Sequence, residues 1–99
     1  MKKEMKHSPR NIIYHELIGL YAKVIDSATQ TYIGLEGKVV NESYNALIIQ
    51  TGRGEKKILK HISKFMFTLP SDLKVIVDGS RIVGRPEERL KKIVSRKRW

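Results

Sequence analysis

The chain has 99 residues, no Cys, 40% hydrophobic residues, and 20 Lys and Arg against 10 Asp and Glu, a net charge of +10. A chain this short buries roughly 60–68% of the surface that its unfolded form exposes, enough for one core and no second domain. The missing thiols exclude a disulfide framework, a thiolate zinc site and a cysteine nucleophile, and they fit a reducing compartment.

Ser8-Pro9 reads as an N-cap followed by proline at the first helical position, where its missing N–H costs nothing. Ile12, Ile13, Leu17 and Leu20 follow at near-helical spacing, so a short N-terminal helix is expected to end by Gly19. From Leu20 the period changes to two: Leu20, Ala22 and Val24 share one face, and Tyr21, Lys23 and Ile25 the other. Residues 26–30 lack a pattern and read as a loop. Leu35 to Glu42 alternates again around Gly37, and Ala46 to Thr51 is a third strand after the turn residues Glu42-Ser43-Tyr44-Asn45. Thr51-Gly52-Arg53-Gly54 makes a tight turn into the basic segment Glu55 to His61. Phe65, Phe67 and Leu69 share a face, as do Leu73, Val75 and Val77 after the turn Pro70-Ser71-Asp72. Asp78-Gly79 has hairpin chemistry and predicts a last strand over Ser80 to Val83. About six short strands at this rhythm describe a small, mainly β barrel. Beyond Gly84, Pro86-Glu87-Glu88 places proline and acids in a first helical turn, with basic residues later, as the helix dipole favours. The expected organisation is a basic arm with a short helix (1–19), a barrel (20–84) and a basic helical tail (85–99).

Charge is concentrated at the ends. Residues 1–10 carry +3, residues 89–99 carry +6 with no acid, and the 78 residues between them only +1. Within that middle, Arg53, Lys56, Lys57, Lys60 and Lys64 stand against Glu55. Cations gathered in this way suit a polyanion, because neutralising phosphates releases condensed counterions. The plain alternative is that terminal Lys and Arg only keep a small protein soluble.

No catalytic constellation is visible. His7, His15 and His61 are scattered, and His15-Glu16 starts an H-E-x-x-H motif whose second histidine position is Gly19. Glu87 and Glu88 diverge on a helix, and Asp26, Glu42 and Asp78 fall at strand ends or turns, where acids commonly stabilise local geometry. No phosphate-binding glycine loop is present. Tyr14, Tyr21, Tyr32 and Tyr44 suit either base stacking or the half-buried surface of a barrel. No run of about 18 apolar residues suggests a membrane span, and no apolar segment follows the N-terminal cations, so a cytoplasmic location is expected.

Several blocks in order carry a family resemblance: His15-Glu16-Leu17-Ile18-Gly19-Leu20, Ser27, Gly34-Leu35-Glu36-Gly37-Lys38-Val39-Val40 with Glu42, Asn45-Ala46-Leu47, Phe67-Thr68-Leu69-Pro70, Asp78-Gly79 and Gly84-Arg85-Pro86-Glu87-Glu88-Arg89. Over residues 11–90 the chain resembles protein component 1 of archaeal ribonuclease P, a family with a eukaryotic counterpart in nuclear ribonuclease P and its mitochondrial-RNA-processing relative. The family often has Thr where Ser43 and Ala46 stand, and Asp where Glu88 stands.

The resemblance implies an Sm-like, strongly bent antiparallel barrel, and a non-catalytic subunit of a holoenzyme that removes the 5′ leader of precursor tRNA. The RNA subunit is then expected to carry the Mg²⁺-dependent chemistry, with no cofactor bound by this chain. The expected partners are ribonuclease P RNA, a zinc-ribbon ribonuclease P subunit and other proteins of the assembly, with no membrane. The candidate RNA contacts are Lys2, Lys3, Lys6, Arg10, Lys56, Lys57, Lys60, Lys91, Lys92, Arg96, Lys97 and Arg98. Residues 11–52 carry a net −2, which suits a protein partner better, with Ile12, Ile13, Leu17 and Val40 as candidate apolar contacts. Two rival readings stand beside this one: a ribosomal or translation-associated SH3-like RNA-binding protein, and a protein-interaction module without RNA binding.

Overall fold

The computed structural model describes residues 16–85 and Arg89. Six strands follow one another: β1 (Tyr21–Ser27), β2 (Glu36–Glu42), β3 (Ala46–Thr51), β4 (Gly54–Leu59), β5 (Ser63–Thr68) and β6 (Lys74–Asp78). All pairings are antiparallel, in the order β4-β3-β2-β1-β5-β6.

The connectivity requires the sheet to curl. β4 lies four strand positions from β5, roughly 19 Å across a flat sheet at about 4.8 Å per step. Only Lys60, His61 and Ile62 join Leu59 to Ser63, and four extended residues reach about 14 Å. The chain makes this step only because the sheet is bent into a barrel. Register shifts between Val24 and Asp26 in β1, and between Val39 and Asn41 in β2, supply bends of the kind that bulges introduce.

Alternation fills the interior as the sequence predicts. Leu20, Ala22, Val24, Val39, Leu47, Ile49, Ile58, Phe65, Phe67, Leu69 and Val77 are buried, and the Phe65 and Phe67 rings stack at 5.7 Å between centroids. Leu73 is half exposed and lies just outside β6, so only Val75 and Val77 of its expected face turn inward. Leu17, expected to meet a protein partner, is instead wholly buried in this chain's own core. The physical reason is local: Leu20 N–H donates to the Leu17 carbonyl at 3.1 Å, and Gly19 N–H donates to the Val39 carbonyl at 2.8 Å, folding the segment over the sheet.

Gly37 owes its place to close approach. A Cβ there would stand 1.9 Å from the Gln50 carbonyl oxygen of β3, so β2 and β3 pack with no room for a side chain. The bulge that a strand glycine suggests lies two residues further on.

The predicted strand over Ser80 to Val83 is a 3₁₀ helix, Gly79–Ile82. Asp78 does not turn a hairpin; its carboxylate accepts hydrogen bonds from the Ser80 backbone N–H and hydroxyl, both at 3.0 Å. That cap bends the chain inward and buries Ile82. Gly79 is again a packing residue: a Cβ would meet the Lys60 carbonyl oxygen at 1.9 Å.

The N-terminal helix expected before Gly19 and most of the tail helix lie outside the described residues. Arg89 N–H donates to the Arg85 carbonyl at 3.0 Å, the i to i−4 bond of an α-helix.

Candidate nucleic-acid interface

The β3–β4 turn is held by one side chain. Thr51 Oγ1 donates to the Gly54 carbonyl at 2.8 Å and accepts from the Arg53 N–H at 3.1 Å, which sets Arg53 at an exposed tip. β4 then carries Lys56, half-buried, and Lys57, exposed. Opposite stands the loop between β1 and β2. Its 3₁₀ turn, Gln30–Tyr32, is closed by Tyr32 N–H to the Thr29 carbonyl at 3.0 Å and Leu35 N–H to the Tyr32 carbonyl at 3.1 Å. Gly34 N–H to the Val24 carbonyl and Val24 N–H to the Leu35 carbonyl, at 2.8 and 2.9 Å, tie the loop to β1. Tyr32 and Leu35 are half-buried and pack against the core.

Between these elements lies a cleft of about 290 Å³ lined by Thr31, Tyr32, Leu35, Arg53, Lys56 and Lys57. It combines three cations with an aromatic ring held by the core, and no carboxylate lines it. This is the chemistry that single-stranded nucleic acid asks for: positive charge for the backbone and a ring face for a base.

A second cleft of about 470 Å³ is larger but less suited. Asp26, Ser27, Ala28, His61, Ile62, Ser63, Lys64 and Asp78 line it. The hydrogen bonds from the Ser80 backbone and hydroxyl hold the Asp78 carboxyl below its ordinary range, with smaller help from Lys64 and Arg81. Asp78 therefore stays ionised and, with Asp26, repels phosphate. Ser27 and Ser63 already satisfy each other through a 3.0 Å hydrogen bond.

Lys60 requires a correction. Although counted among the RNA contacts, its side chain is wholly buried. Its Nζ donates to Glu42 Oε2 at 2.7 Å, to the Ser43 and Gly84 carbonyls at 2.9 and 3.0 Å, and to the Tyr44 carbonyl at 3.3 Å. The guanidinium of Arg89 reaches the same Glu42 oxygen at 2.7 Å and also donates to the Ile82 and Gly84 carbonyls. A cation so enclosed by oxygen cannot meet a phosphate. The cluster is structural: it pins the β2–β3 turn, the β4–β5 link and the segment after Gly84 to one point.

Of the other candidates, Lys2, Lys3, Lys6, Arg10, Ile12, Ile13, Lys91, Lys92, Arg96, Lys97 and Arg98 lie outside the described residues. Val40 is half-buried on β2. Lys56 and Lys57 come together in the cationic cleft, joined there by Thr31, Tyr32 and Arg53. Sequence reasoning had Arg53 in a basic stretch and Tyr32 among four tyrosines, but it had no means of placing one against the other. Tyr21 and Tyr44 are exposed; a hydrogen bond with Glu36 pushes the Tyr21 phenol above its usual range. Among the described residues, no three His, Cys, Asp or Glu side chains gather as a metal site would require, and no helix is long and apolar enough to cross a membrane.

Comparison with known proteins identifies the family. The family described as Ribonuclease P/MRP, subunit p29 matches residues 10–92. Ribonuclease P protein component 1 of Staphylothermus marinus is 47% identical over 91 residues, covering 91% of this chain and 99% of that protein. Its namesake in Methanocaldococcus jannaschii is 45% identical over 86 residues, covering 86% of this chain and 90% of that protein. Among solved structures, Mth11, described as a homologue of the human RNase P protein Rpp29, shares 41% identity with a TM-score of 0.56, over 76% of this chain and 97% of that one. The family match over residues 10–92, with relatives 45–47% identical over most of the chain, places the chain in the ribonuclease P/MRP subunit p29 family.

Proposed function

We propose that this chain is an RNA-binding protein subunit of ribonuclease P, supporting a catalytic RNA in removing the 5′ leader of precursor tRNA. The observation that carries the reading is the cleft between the β1–β2 loop and β4, where Arg53, Lys56 and Lys57 surround a half-buried tyrosine. The chain associates with ribonuclease P RNA and with other subunits of that assembly. The polypeptide supports the chemistry rather than performing it, with Mg²⁺ held by the RNA. The cations of the two arms extend the cleft's role by meeting backbone phosphates, which position the protein without reading sequence. A zinc-ribbon subunit is the proposed protein partner, meeting the less basic part of the chain that includes Val40, and the assembly works in the cytoplasm.

Counterion release tests this reading. If about five to seven cations meet phosphates, log affinity for ribonuclease P RNA falls with log salt at a slope of roughly −4 to −6. Filter binding or fluorescence anisotropy between 50 mM and 500 mM salt measures it. A flat response would favour a protein-interaction module whose basic arms serve only solubility.

A further inference from the structure

The geometry points to a more specific role for the cationic cleft: it holds one unpaired nucleotide of the RNA, with the base against Tyr32 and Leu35 and the flanking phosphates against Arg53, Lys56 and Lys57. This rests on RNA being the partner and adds which part of the RNA enters and which side chains take it.

Size sets the first constraint. At about 290 Å³ the cleft lies at the lower end of small-ligand sites, so it admits a base and excludes a helix. Only a nucleotide out of its stack fits, which is how loops and bulges of RNA present bases to proteins.

The arrangement of polarity sets the second. Tyr32 and Leu35 pack on the core, so the apolar floor is fixed by the barrel. The backbone bonds from Thr29 to Leu35 and across to Val24 fix the segment that carries the ring before any ligand arrives. The cations come from the opposite wall, on a turn clamped by Thr51. A base needs a flat apolar contact and its phosphates need positive charge to one side, and the two walls provide these separately. Thr31 adds a hydroxyl that can donate or accept at the rim. The larger cleft offers the contrast: its carboxylates, Asp26 and Asp78, disfavour a phosphodiester.

The test uses the full chain and ribonuclease P RNA transcribed from the same genome. Tyr32→Leu keeps an apolar side chain on the core but removes the ring; Tyr32→Phe keeps the ring. Loss of one stacked base weakens binding roughly 5- to 150-fold. Tyr32→Leu is expected to show that loss with an unchanged salt slope, since no charge is removed, while Tyr32→Phe stays within about twofold of the parent. Ultraviolet cross-linking of the parent complex is expected to join Tyr32 to a nucleotide in a loop or bulge. An abasic substitution at that nucleotide is then expected to remove the difference between parent and Tyr32→Leu. Thermal melts of both variants separate a folding defect from a binding defect. Parent binding with equal affinity of folded Tyr32→Leu, or a cross-link to base-paired RNA, overturns this inference and leaves the RNA-binding subunit intact. Failure of the parent itself to bind the RNA overturns the broader reading instead.

Discussion

Glu42→Gln is expected to destabilise the protein by about 3–5 kcal/mol, the cost of removing one partner from a buried ion pair. Lys60 and Arg89 both point at Glu42 Oε2, each at 2.7 Å, from side chains that are almost fully buried. The amide replacement keeps the volume and removes the carboxylate that both cations meet. The carbonyls of Ser43, Gly84 and Ile82 remain, but a carbonyl dipole is a weaker partner for a cation than a carboxylate. Against a total stability of roughly 5–15 kcal/mol, a loss of this size brings the variant close to unfolding at moderate temperature. For a domain of this length the melting temperature should fall by roughly 12–40 °C. Lys60→Met is expected to cost less, because Glu42 keeps Arg89 as a counter-charge at 2.7 Å. Urea titration and thermal melts followed by circular dichroism measure both. A Glu42→Gln variant within about 1 kcal/mol of the parent would show that the cluster does not hold the fold together.

The largest effect on binding is expected from neutralising the cleft. Arg53→Gln, Lys56→Gln and Lys57→Gln together remove three phosphate contacts and should make the salt slope shallower by roughly 2–3. If counterion release contributes nothing at 1 M salt, that change corresponds to roughly 45- to 300-fold weaker binding at 0.15 M. Arg53 and Lys57 are exposed and Lys56 is half-buried, and none of them belongs to the core, so the fold should survive. Anisotropy titrations at several salt concentrations, with melting temperature as a control, give both numbers. An unchanged slope would assign all the phosphate contacts to the arms.

These two effects fall on residues that looked alike in the sequence. Lys56, Lys57 and Lys60 stand in one basic run, yet two line a surface cleft and the third is buried. What separates them is Glu42, 18 positions away from Lys60, and Arg89, 47 positions away from Glu42. The barrel brings all three together, and no local pattern encodes that meeting. Glu42 was readable as a structural acid at a strand end, but its partners were not.

Period-two patterns were readable wherever one face meets the core. Phe65, Phe67 and Leu69 turn inward as their spacing requires, because a one-residue slip would expose all three. The Asp78-Gly79 pair misled because two local solutions compete there. A carboxylate before Ser80 can open a hairpin or cap a 3₁₀ turn, and the close approach of the Lys60 carbonyl to Gly79 belongs to the second. Family resemblance identified the kind of molecule from motifs spread along the chain. The cleft depends instead on the β1–β2 loop facing β4, a tertiary arrangement, so the sequence names Arg53 in a basic stretch without marking it or Thr31 as a contact.

Affinity purification of the tagged chain from its own cells, followed by sequencing of the bound RNA and a cleavage assay on precursor tRNA, addresses the central claim most directly. The account predicts one abundant structured RNA, recovered with activity that removes the 5′ leader. Recovery of ribosomal RNA alone, without that activity, would contradict it.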